Sequence, residues 1–75
     1  MKYLYTFNVA RAEIVGIFYI EEPLKERRER AYNWLNDSLA KGLVNPALRE
    51  DLERVIELEY MEYKRRLEIY ENISR

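Results

Sequence analysis

The hydrophobic pattern changes texture twice along this chain. From Tyr3 to Ile20 the apolar residues are nearly all β-branched or aromatic, and that enrichment predicts two strands within residues 1–20. In the first, Tyr3, Tyr5, Phe7 and Val9 share one face by the two-residue repeat, with Thr6 and Asn8 on the other. The second is apolar on both faces, with Ile14, Phe18 and Ile20 opposed by Val15, Ile17 and Tyr19. A strand buried on both sides needs two covering layers, and one helical hairpin supplies only one, so this strand implies a partner. The link Ala10-Arg11-Ala12 lacks the Asn-Gly or Gly-rich signature of a tight hairpin. A helix starting at Asn8 is the competing reading. Four β-branched residues and Gly16 between Ile14 and Ile20 weigh against it. In a strand, Gly16 is either a bulge or a tolerated glycine.

From Pro23 the period becomes helical. Proline is preorganised for a first helical position, and Glu21 and Glu22 suit the positive end of a helix dipole. Leu24, Ala31, Tyr32, Leu35 and Leu39 fall on one face, which predicts a helix over 23–41. Gly42 is a left-handed stop. Asn45 then caps a new helix with Pro46 at its first position, and Glu50 and Asp51 follow early in it. So short a junction implies an antiparallel helical hairpin. This hairpin is expected to cover one sheet face through Leu24, Tyr32, Leu35, Leu39, Leu52, Ile56 and Tyr63.

The last helix, 46–73, is long for its chain. At about 1.5 Å per residue it spans roughly 42 Å. A compact chain of this size has a diameter of roughly 30 Å. The helix must therefore project from its own monomer or pack on a second copy. Its main stripe contains Leu48, Leu52, Val55, Ile56, Tyr60, Tyr63, Leu67, Tyr70 and Ile73. Leu58, Met61 and Ile69 form a thinner second strip. Glu59 and Arg66 project near the middle of the apolar side, and Glu62 is spaced to pair with Arg66.

Composition narrows the function classes. The 75 residues contain no cysteine and no histidine, which removes disulfides, thiolate metal sites and the commonest neutral-pH base. Small domains without disulfides or metals usually rely on oligomerisation. Charged residues make up 36% of the chain, yet the net charge is only −1, so the whole-chain basic excess of many nucleic-acid binders is missing. The charge-rich composition, with no glutamine, is compatible with a thermophilic source. Arg11 and Glu13 interrupt the early apolar run, which argues against a secretory leader or a membrane span there. The expectation is a soluble, cytoplasmic protein with no membrane association.

Three groups of residues are candidates for chemistry. Lys25, Arg27, Arg28 and Arg30 open the first predicted helix, where cations oppose the helix dipole unless they meet phosphates. The bland reading is an ion-paired surface: Glu21–Lys25 and Glu26–Arg30 are spaced for i,i+4 pairs, and Glu21 to Arg30 sum to zero charge. Trp34 and Tyr32, near the arginines, could stack bases; Tyr32 joining the core and Trp34 packing at its margin or in an interface is the preferred reading. Glu59 is the only carboxylate candidate for acid–base work. A solvated stripe, or pairing of Glu59 with Arg66 across a dimer, is preferred. The seven tyrosines suit interfaces, because each buries a ring and keeps a wet hydroxyl.

The sequence thus predicts an α+β protein in the order strand, strand, helix, helix, forming a single small domain over 1–75 and completed by dimerisation or higher self-association. The function expected is a non-catalytic, homo-oligomeric protein-interaction module, not an enzyme, with no cofactor and no metal. Leu58, Glu59, Tyr60, Met61, Arg66, Ile69, Tyr70 and Ile73 are the candidate subunit interface. The alternative is a small dimeric nucleic-acid-binding regulator using residues 25–30. The element order is loosely similar to that of ribbon-helix-helix regulators. Those use one short strand and a shorter second helix, so no residue carries over.

Overall fold

The computed structural model describes residues 3–74; Met1 and Lys2, which belong to the predicted strand region, and Arg75 lie outside the described residues. The chain forms α1 (Phe7–Phe18), α2 (Leu24–Ala40), a 3-10 turn (Pro46–Leu48) and α3 (Arg49–Ser74). The predicted α+β fold with an antiparallel β-hairpin is therefore overturned. Among the described residues there is no strand or sheet, and the fold is mostly helical. The β signal survives only as an isolated parallel bridge between Tyr5 and Val44, made by the Tyr5 amide donating to the Leu43 carbonyl at 3.0 Å.

Packing explains why the first segment is a helix. Thr6 caps it by accepting from the Val9 amide at 3.3 Å. Ala10, Ile14 and Phe18 then repeat every four residues and are all fully buried. Ile14, Val15, Ile17 and Gly16 together cost about 2–3 kcal/mol in helix propensity. Fully burying Ile14 and Phe18 returns about 1.5–3 kcal/mol each, and a lone two-stranded hairpin offers no comparable core. Gly16 is exposed, with nothing within 4 Å of where a side chain would begin. Val15 is only half-buried and Tyr19 is 74% exposed. The segment thus has no second buried face, and the partner argument drawn from a two-faced strand falls with the strand.

The α2–α3 junction follows the residue pattern closely. Gly42 takes φ +73°, and the Gly42 and Leu43 amides donate to the Leu39 and Ser38 carbonyls at 3.1 and 2.9 Å. The Asn45 side chain accepts from the Ala47 amide at 3.0 Å, with Pro46 opening the turn. α2 and α3 pack antiparallel, and α1 packs on both of them. Leu35, Val44, Leu52 and Ile56 complete a fully buried core with Ala10, Ile14, Phe18 and Ala31. Leu24, Tyr32, Leu39, Tyr60 and Tyr63 pack at its edge.

The molecule measures 54 × 17 × 15 Å. Its length comes from α3. Phe18, the last residue of α1, stacks its ring on that of Tyr63 at 6.0 Å between centroids. Ten further residues, Lys64 to Ile73, carry the helix about 15 Å beyond that contact.

Candidate interaction surface

The basic start of α2 is held by its own chain. Arg27 donates to the carbonyls of Phe18 (2.9 Å) and Glu22 (2.6 Å), and its guanidinium lies 5.6 Å from the Tyr63 ring centroid. It thus satisfies the C-terminal end of α1, where a cation is favoured by the helix dipole. Arg30 makes a two-pronged contact with Glu22, at 2.7 and 3.1 Å. The arginines near the positive end of α2 are accommodated because α1 ends beside them. That arrangement is invisible when each helix is considered alone. Lys25 is exposed.

Arg28 joins a polar cluster at the α2–α3 contact. It donates to Glu57 at 2.7–2.9 Å and lies over the rings of Tyr32 (5.3 Å) and Tyr60 (5.1 Å). The Tyr32 hydroxyl donates to the same Glu57 oxygen. Burial, reinforced by the bond to Glu57, pushes the Tyr32 hydroxyl up to about 12. Burial alone would raise the Glu57 carboxyl, but the hydrogen bonds from Tyr32 and Arg28 outweigh it and hold that group below its ordinary value. The hydrogen bond to Glu57 likewise raises the Arg28 guanidinium. The Tyr32 hydroxyl and two nitrogens of Arg28 converge on one Glu57 oxygen, so the cluster acts as a clamp between helices. Glu57 was not singled out in the sequence; only the three-dimensional register of α2 against α3 reveals it.

The predicted interface residues divide among three places. Tyr60 packs on the body beneath Arg28, and Glu59 is half-buried in the same stretch. Leu58 and Met61, 58% and 60% exposed, lie on a shallow outer surface of α3 with Glu62, Lys64, Arg65 and Glu68. Tyr70 and Ile73 stand on the projecting end, 70% and 78% exposed, with Ile69 and Leu67 also open to solvent. Leu67 belongs to the predicted stripe but not to the predicted interface. Arg66 is engaged locally, 3.7 Å from Glu62 and 5.4 Å above the Tyr63 ring. Glu62 also pairs with Arg65 at 2.6 Å, and this contact holds its carboxyl below the usual range.

An open groove of about 730 Å³ runs between α1 and α2, floored by Ile17, Ile20 and Trp34 and edged by Glu26, Glu29 and Arg30. Trp34 meets the Tyr5 ring there at 5.6 Å, so it fixes the N-terminal segment. Among the described residues, no three His, Cys, Asp or Glu side chains are grouped to hold a metal ion. No helix among them is long and apolar enough to cross a membrane. Comparison with known protein families, curated proteins and solved structures finds no match.

Proposed function

We propose that the protein is a non-catalytic interaction module that works by associating with copies of itself through the projecting end of α3. One observation carries this reading. The stripe that buries Leu52 and Ile56 completely continues through Leu67, Tyr70 and Ile73, which are 47%, 70% and 78% exposed. Scattered exposed apolar residues are ordinary, but these three continue one face at helical spacing beyond Tyr63, where Phe18 stacks. Sedimentation equilibrium at tens of micromolar tests it. A mass near twice the 9.2 kDa chain, or a larger multiple, supports the module; the mass of one chain defeats it.

The nucleic-acid alternative has less behind it. Arg27, Arg28 and Arg30 each meet a carboxylate or carbonyl of their own chain, and Lys25 is an exposed cation beside them. Binding of duplex DNA or RNA that falls steeply with salt would revive it.

A further inference from the structure

We infer that the projecting end of α3 pairs with the same segment of a second copy, antiparallel and about a two-fold axis near Glu68 and Ile69. The geometry rests on the self-association reading above and adds partner, direction and register to it.

Three observations support this arrangement. The first is steric. Phe18 and Arg27, on either side of the α1–α2 connection, both meet Tyr63, so the free stretch of stripe is taken from Lys64 to Ile73. A partner helix laid on it antiparallel stops where its own tip meets that connection. Its Ile73 then lies level with Lys64, and the midpoint falls between Glu68 and Ile69. In this register Leu67 of one copy faces Tyr70 of the other, and Arg66 is level with Glu71. A two-fold contact of this kind closes on itself and leaves no open end for further growth.

The second is charge. Residues 64–68 hold Lys64, Arg65, Arg66 and Glu68, a net of +2. Residues 69–73 hold Glu71, a net of −1, with Arg75 beyond them outside the described residues. Antiparallel pairing sets the basic half of each helix against the acidic half of the other; parallel pairing sets like against like.

The third is area. Covering the exposed parts of Leu67, Tyr70 and Ile73 removes on the order of 400 Å² per copy, about 800 Å² in total, which is the size of a weak interface rather than a permanent one. A dimer of that size forms in proportion to concentration.

A charge cycle within one chain tests direction and register. At ~50 mM salt, Lys64→Glu with Arg66→Glu weakens self-association at least about tenfold, and Glu71→Lys weakens it in the same direction. The chain carrying all three changes recovers association, because its halves, −2 and +1, are again complementary when antiparallel. Glu13→Lys with Glu50→Lys, which shifts net charge equally far from this segment, leaves association within about twofold. Far-UV circular dichroism on each variant verifies that helix content is retained. Leu67→Asp abolishes association irrespective of charge balance. If wild type associates but the chain with all three changes stays as weak as the two partial variants, or Leu67→Asp still associates, the pairing is wrong and the self-association reading survives. If wild type is a monomer, both fall.

Discussion

The two halves of α3 carry the same stripe and meet opposite fates. In the first half Leu52 and Ile56 are fully buried beneath α1 and α2. In the second half Leu67, Tyr70 and Ile73 continue the stripe but stand exposed. Residue type is nearly the same in both; the length of the covering elements differs. α1 and α2 contain 12 and 17 residues against 26 in α3. A periodic face therefore reports where a helix can bury surface, while the neighbours decide how much of that face contributes to folding.

That contrast has measurable consequences. Phe18→Ala or Ile56→Ala should destabilise the fold by about 3–5 and 2–5 kcal/mol, because each empties a fully buried site. Urea unfolding by circular dichroism measures this, and a loss below about 1 kcal/mol would mean the core is loosely packed. Gly42→Ala should cost about 1–2 kcal/mol, since a side chain is strained at φ +73° even though space is available around it.

The clamp between α2 and α3 should register next. Glu57→Gln should cost about 0.5–1 kcal/mol, a figure kept small by the solvent exposure of both Arg28 and Glu57. Its pH signature has a fixed sign. The Glu57 carboxyl is lowered on folding, so its contribution is present above the ordinary value of 4.5 and is lost as pH falls through the lowered value. The Tyr32 hydroxyl is raised, so its contribution is present below 10.0 and is lost as pH rises from there toward about 12. Glu57→Gln should flatten the acid limb of stability against pH, and Tyr32→Phe the alkaline limb. Unchanged limbs would show that the clamp does not contribute. Smallest of all, Ile73→Ala should shift the stability of the monomer by no more than about 0.5 kcal/mol, as measured at concentrations too low for association.

The α2–α3 hairpin was legible because its signals are local. Gly42, Asn45 and Pro46 each demand a particular backbone conformation, and α2 and α3 carry apolar residues at helical spacing. α1 was misread because its signal is mixed. Its residues favour strands one by one, while Ala10, Ile14 and Phe18 fit a four-residue repeat that matters only once α2 and α3 supply a surface to cover it. The absent turn signature at Ala10-Arg11-Ala12 was the sequence clue that these residues form one continuous helix. The arginines of α2 were read from their own helix dipole, and their bonds to Glu22, Phe18 and Glu57 depend on neighbours far along the chain. The projecting end of α3 needed only helix rise and chain length to be foreseen.

Amide hydrogen exchange along α3, measured at two protein concentrations, puts the contrast between its halves to the most direct test. Amides around Leu52 and Ile56 should be protected equally at both concentrations, because their cover is intramolecular. Amides from Leu67 to Ile73 should exchange quickly when dilute and gain protection as concentration rises through the micromolar range, by mass action. Distal protection that does not change with concentration would contradict the claim that a second copy covers this end of the helix.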